Sequence, residues 1–387
     1  MKTYNFVPGP TPVPTEVTAR MSQPILTHRS AEFSNLLHDV TDGLRYIFQT
    51  QNDVLTLTAS GSGAMESVIV NLLSPGDRAV AIVAGKFGGR WVELCGVYGI
   101  ELDIINVPWG DAVNPDTVYE VLSKRNDYKA LLATHSETST GVLHDIQSLG
   151  RIARSHDVLF VVDAISGLGA NDLKTDGWEV DVVVTGSQKA LMLPPGLSFV
   201  SLSERAWEAT TRSTSPKYYL SFERAQRALE KGLTPYTPAV SLLMGLSEIL
   251  NRIRAMGLDS VFSRHGLMAG AMRLGVQEIN LELFATSPSN VLTSVKIPEG
   301  IDGPELLKHI KTAYGVTFAD GMGDYEGITF RIAHLGYAVD SFDIVIAISA
   351  LERGLACFGH DFDLGAGVAA VQKFFHQAEA IQTLSAG

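Results

Sequence analysis

This chain of 387 residues has little cysteine: Cys95 and Cys357 are its only two. They stand in no metal-ligand spacing and form no disulfide framework, so a reducing compartment is expected and no metal site is. Both read as core or half-buried thiols. Net positive charge is also missing. With 42 acidic against 30 basic residues the formal charge is −12. A nucleic-acid or anionic-membrane surface is therefore not expected, since either needs clustered Lys and Arg to displace counterions. No apolar run reaches the roughly 18 residues of a bilayer span. The opening MKTYNFVPGPTPVP has neither a basic n-region nor an apolar h-region, so a cytoplasmic location is expected. No G-x-G-x-x-G follows the first strand-like run, which disfavours a nicotinamide dehydrogenase.

What is present is globular: 45% hydrophobic and 19% charged residues, with a mean hydropathy of +0.14. The length suits a large domain plus a smaller one. Residues 1–15 hold four prolines and read as an extended arm that must lie on something else. Residues 16–274 read as the large domain. Within it, from about Asp53 to Ser203, the strand-like runs VLTLT, AVAIVA, ELDIINV, KALLATH, VLFVVDA, DVVVTG and LSFVSL alternate with helical stretches such as AMESVIVNLL. That alternation predicts an α/β fold with a mostly parallel seven-stranded sheet between helices. From about Glu204 to Leu274 the pattern is largely helical, broken by the loop KGLTPYTPAVS. Residues 275–387 mix VLTSVKI and ITFRIAHL with helical ELLKHIKTAY and SFDIVIAISALERGLACF, a smaller C-terminal α+β domain.

Two residues stand where chemistry is done in such sheets. Asp163 ends the run LFVVD and Lys189 follows the run VVVTG, so both emerge at carboxyl ends of buried strands, the edge where open α/β sheets bind ligands. A lysine there can form a Schiff base, and an aspartate beside it can hold a pyridinium nitrogen protonated, as pyridoxal 5′-phosphate requires. Taken singly, each is as well explained as a surface lysine or a capping aspartate. The loop Ala59–Gly63 leads from VLTLT into a helix expected to start near Ala64. Its small residues admit an anion to backbone N–H groups, although such a turn can equally just reverse the chain, and the P-loop lysine is absent. Phe87, in GKFGGR after AVAIVA, suits stacking on a planar ring or a place in the core. The loop THSETSTG after KALLA concentrates hydroxyls around His135 and suits a polar ligand, while His135 alone suits a satisfied structural role.

These pieces in this order resemble the class V, fold type I pyridoxal-phosphate aminotransferases, nearest the alanine/serine:glyoxylate branch. The resemblance runs through VPGPTPVP, HRSAEF, ASGSGAMES, THSETSTGV, VVDAISG, GSQKALMLPPG, TPYTPAVSL and TFRIAHLGY. It implies that Lys189 carries the cofactor and Asp163 pairs with its pyridine nitrogen. Ser62, Gly63, Ala64 and Gln188 fall at phosphate-cup positions. Phe87 falls where an aromatic ring, often Trp, stacks on the pyridine, and Thr138 where a hydroxyl meets the 3-oxygen. Thr237 matches a threonine that reaches the phosphate of the partner subunit, implying a homodimer with shared sites. Arg331 matches the arginine that binds the substrate carboxylate, and Gly9 lies at a substrate-binding position. Ala64 and Phe87 depart from the family's usual polar residue and Trp.

The resemblance implies a transaminase that takes the amino group of a small amino acid, alanine or serine, and passes it to glyoxylate in a ping-pong cycle, giving glycine and a 2-oxo acid. Aspartate or an aminophosphonate is the alternative donor. A cysteine desulfurase is disfavoured because neither cysteine lies in a mobile loop and Gln188 replaces the usual His. A hydrogenase-associated subunit, a label some relatives carry, is disfavoured because two cysteines cannot hold a four-thiolate cluster.

Overall fold

The computed structural model describes residues 2–336 and 339–385; Tyr337, the last residue of TFRIAHLGY, lies outside them. Seven strands form the central sheet: β1 (Val54–Leu57), β2 (Arg78–Val83), β3 (Glu101–Asn106), β4 (Tyr128–Thr134), β5 (Leu159–Asp163), β6 (Val182–Gly186) and β7 (Ser198–Leu202). Their spatial order is β1-β7-β6-β5-β4-β2-β3. β7 runs antiparallel to both of its neighbours, and the other pairings are parallel. Alternate residues of a strand face opposite sides. In β2, Val80 and Ile82 accordingly join Phe33, Leu37, Leu44, Leu243 and Ile249 of the helices Ala31–Phe48 and Val240–Met256. Ala79 and Ala81 join Met65, Val68, Ile69 and Trp91 on the other side. Burial on both faces explains why β5 and β6 open as continuous apolar runs. The edge strand β3 carries exposed Glu101 and half-buried Asp103, both paired with Arg78, charges that blunt an otherwise open edge.

Two helices lead from strand ends into the site: α1 (Gly61–Leu72) after β1 and α2 (Lys86–Val97) after β2. The helix expected near Ala64 begins at Gly61. Ser60 is extended (φ −76°, ψ 168°), so the small residues Gly61, Ser62 and Gly63 make up the first turn rather than a preceding loop.

A second core gathers Met268, Met272, Val276, Leu306, Ile310, Phe330, Ile332 and Leu351. Its sheet is antiparallel: β8 (Leu292–Lys296), β10 (Thr329–Ala333) and β9 (Ala319–Asp320), in that spatial order. The N-terminal arm does lie on something else. Tyr4–Asn5 pairs in parallel with Val316–Thr317, and Phe6 accepts from Ala333 N at 2.7 Å before its ring enters the second core. Farther on, Thr11 N donates to Gln188 O (3.1 Å) and Thr11 Oγ1 to Lys189 O (2.9 Å). The arm thus runs from the small sheet to the segment bearing Lys189. Cys95 is buried among the side chains packed around α1 and α2, as expected, and burial pushes its thiol up to about 12. Cys357, expected to be core or partly buried, is exposed: it is the last residue of the helix Ser341–Cys357, and its Sγ lies 3.9 Å from the Tyr314 hydroxyl.

Candidate active site

The carboxyl ends of the strands surround a cavity of about 130 Å³ lined by Ser62, Phe87, Thr138, Asp163, Gln188 and Lys189, with Arg90, Ser136, Ile165 and Ser166 between them. Chain order would not bring these loops together; sheet order does. β4 lies beside β2, so the loop after β4 meets the start of α2, and β5 and β6 set Asp163 and Lys189 next door.

Lys189 Nζ donates to the Pro8 carbonyl of the arm. Gly9 is pressed against the same side chain: a Cβ there would stand 2.8 Å from Nζ and from Cδ, and its φ of +133° is one that side chains other than glycine's rarely adopt. Burial, reinforced by the Arg331 charge, brings the lysine down to about 8. Asp163 ends β5 and accepts from Ile165 N at 2.8 Å. Its carboxyl is pushed up to about 7, chiefly by burial, with the Glu137 charge adding to the rise and the Ile165 bond opposing it. A cation brought against Asp163 would restore its ionised form.

Arg331 lies in β10 and is buried. Nε and Nη2 donate to Asp320 O (2.9 and 2.8 Å) and Nη1 to Thr138 O (3.2 Å). Two carbonyls hold its plane without neutralising its charge. Thr138 Oγ1 is 2.5 Å from Ser166 Oγ, which fixes both hydroxyls at the cavity wall. Ser60 does not cap α1 with its side chain, so first-turn N–H groups that a helix leaves unpaired are available to an anion beside Ser62. Gln188 Oε1 is buried without a hydrogen-bond partner.

The remaining residues singled out in the sequence do not themselves line this cavity. Ala64 does not line the cavity: its N–H donates to Ser60 O and its methyl is buried against Met65 and Val68. Gly63 lies in the first turn, where a Cβ would meet Ala59. Thr237 lines a separate hollow with Thr56, Leu197, Tyr219, Thr234 and Tyr236. His135 is structural yet unsatisfied. Its Nδ1 is buried without a partner against Gly167, where a Cβ would come to 2.4 Å, and burial takes the imidazole down to about 3.

Glu137 was missed from the sequence. Its buried carboxylate accepts from Phe87 N (3.1 Å), Gly88 N (2.9 Å), Ser139 N (3.1 Å) and Ser139 Oγ (2.6 Å), while Lys86 N donates to Ser139 Oγ (3.0 Å). The N-cap position of α2 is Gly85, which has no side chain to cap the helix, so the cap comes from the loop after β4. The available signal was a lone carboxylate among hydroxyls after an apolar strand, together with a helix preceded by a glycine.

These groups fit pyridoxal 5′-phosphate: an amine of lowered basicity, a buried carboxylate, an aromatic ring and an uncapped helix start. Among the described residues, no three His, Cys, Asp or Glu side chains group as metal ligands, and no helix is long and apolar enough to cross a membrane.

A family model described as aminotransferase class-V matches residues 3–322. The chain is 42% identical to a Synechococcus protein named soluble hydrogenase, small subunit, covering 97% of this chain and 99% of that one. It is 37% identical to the L-aspartate–glyoxylate aminotransferase of Paracoccus denitrificans, over 97% and 96%. Its fold is similar to the crystal structure of ureidoglycine–glyoxylate aminotransferase from Bacillus subtilis, with a TM-score of 0.93, 26% identity and coverage of 97% and 98%. The chain belongs to the class V aminotransferases.

Proposed function

We propose that this class V aminotransferase binds pyridoxal 5′-phosphate on Lys189 and moves the amino group of a small amino acid, alanine or serine, to glyoxylate by a ping-pong cycle. The observation that carries this reading is the buried Arg331, held by two backbone carbonyls, one of them that of Thr138 at the cavity wall, and near enough to Lys189 for its charge to lower the lysine's pKa. When bound, the cofactor supplies an electron sink for the bond broken at the substrate's Cα. Arg331 receives the carboxylate, a charge-assisted pair strengthened by the dry surroundings, and so fixes which bond at Cα faces the sink. Lys189 Nζ, with a pKa near 8, would take the proton from Cα and deliver it to the carbon on the far side of the amino nitrogen. Asp163 would hold a proton on the ring nitrogen. Thr138, held by Ser166, would offer its hydroxyl to the 3-oxygen, and Phe87 would stack on the ring. In this division of labour, residues 16–274 hold the cofactor, residues 275–387 bring Arg331, and the arm of residues 1–15 closes over Lys189 at Gly9.

The protein works as a homodimer in the cytoplasm, and each site borrows Thr237 from the partner. Supporting this, the loop holding Thr237 lies outside its own subunit's cavity, and it sits beside exposed aromatics: Tyr219 stacks on Tyr236 at 4.8 Å, with Tyr218 nearby. Exposed aromatic patches of this kind mark interfaces.

Aspartate is the second reading, favoured by the name of the Paracoccus relative. It asks for a second cation at the donor's side chain. The test is a single half-turnover of the cofactor-loaded protein against L-alanine, L-serine and L-aspartate, followed by cofactor absorbance, with glyoxylate then added. Rapid conversion by alanine or serine and recovery with glyoxylate are expected. A response to aspartate alone replaces the donor, and no response to any amino acid overturns the reading.

A further inference from the structure

The cavity holds one cation that none of these steps uses. Arg90 lies one turn beyond Phe87 on α2, so the two share a helix face. Its guanidinium carbon is 5.0 Å from the Phe87 ring centroid, and its Nη1 donates to Ser62 Oγ at 3.1 Å. Among the described residues no carboxylate oxygen comes within 4 Å of it, in a chain where acids outnumber bases. Packing on the aromatic face holds the guanidinium plane without using its N–H donors.

The other donors beside the start of α1 are neutral: backbone N–H groups, the Ser62 hydroxyl and the Gln188 amide. A phosphate ester carries a charge of about −1.5 to −2 near neutral pH. Neutral donors leave much of that charge unmatched, and Asp163 on the same cavity wall adds to it.

We propose that Arg90 is the resident counter-charge of the phosphate cup and the positioning residue for Ser62. Because Arg90 donates to Ser62 Oγ, a lone pair of that oxygen is occupied and its own O–H is free to turn to the ligand. Ser62 thereby becomes a donor polarised by a cation, and the guanidinium charge offsets the dianion from one side chain away. This inference rests on the reading of the cavity as a pyridoxal-phosphate site.

The experiment compares the dissociation constants of pyridoxal 5′-phosphate and of pyridoxal, which lacks the phosphate, for the wild-type chain, Arg90→Met and Arg90→Lys. Both are read from the absorbance of the lysine-bound aldehyde, and circular dichroism checks the fold. Arg90→Met should weaken the phosphorylated cofactor about ten- to a hundredfold, the range for a hydrogen bond to a charged group, and leave pyridoxal unchanged. Arg90→Lys should recover part of the loss, and inorganic phosphate, which should slow cofactor binding to the wild-type chain, should lose that effect in Arg90→Met. Equal cofactor affinity in wild type and Arg90→Met overturns the proposal. A parallel loss of both aldehydes also overturns it, since Arg90 would then act on the ring through Phe87. If Arg90→Met does not fold, Ser62→Ala in the wild-type and Arg90→Lys backgrounds decides: additive losses refute the coupling and non-additive losses support it. A wild-type chain that binds neither aldehyde sinks the underlying site reading, whereas wild-type binding with Arg90→Met unaltered sinks only this inference.

Discussion

At the scale of single residues, the site works by controlling charge through burial. Lys189 falls to about 8 because its ammonium is poorly solvated and faces Arg331. Only the neutral amine attacks an aldehyde, so cofactor attachment should speed up as pH rises toward about 8 and then level off, well below the range of an exposed lysine. Stopped-flow absorbance across pH checks this, and a midpoint above 10 would contradict it. Arg331→Ala removes the neighbouring positive charge, so the midpoint should move upward. The same variant should lower kcat/KM for both the amino acid and the oxo acid by about ten- to a hundredfold, because both present a carboxylate to one guanidinium worth about 1.5–3 kcal/mol. Wild-type kinetics with both substrates would place carboxylate recognition elsewhere.

At the scale of elements, α2 cannot cap itself, and Glu137 does it from the neighbouring loop. The carboxylate accepts four hydrogen bonds, whereas an amide in its place would turn N–H groups toward N–H donors. Glu137→Gln should therefore cost about 1–3 kcal/mol, the penalty of leaving buried donors unpaired. It should also loosen Phe87. Thermal unfolding reads the first effect, and weaker binding of both pyridoxal 5′-phosphate and pyridoxal reads the second, because a displaced ring affects the two aldehydes alike. An unchanged melting temperature would show that the cap contributes no stability. The arm is the second telling element: its hydrogen bonds at Phe6 tie it to the small sheet and those at Thr11 to the lysine segment, so Arg331 and Lys189 share a covalent strap.

At the scale of the molecule, the proposed shared site predicts that oligomerisation and cofactor affinity move together. A two-fold axis lets one loop serve two identical sites. Thr237→Ala should raise the dissociation constant of pyridoxal 5′-phosphate and spare the fold, since Thr237 lines a hollow of its own and is not part of the apolar cores. Titration by absorbance, with sedimentation at the same concentrations, checks both. A monomer with full activity would refute the shared site, and unaltered affinity would remove Thr237 from it.

The amino-acid sequence by itself determined the strands, their burial and the positions of Lys189 and Asp163, because apolar, β-branched runs and a residue just after such a run are local features. It also carried Ser62, Phe87, Thr138 and Gln188 into one cavity by motif. Only the tertiary structure decided that Ala64 turns inward, that Cys357 is exposed, that the Pro8 carbonyl meets the lysine and that Glu137 caps α2. Each of these depends on which strands become neighbours. β2 and β4 lie side by side although β3 intervenes in the chain, and Tyr4–Asn5 pairs with Val316–Thr317 from a distant part of the chain. Pairing of this kind is selected by the joint burial of whole faces, a property of the assembled sheet that no local stretch of residues encodes.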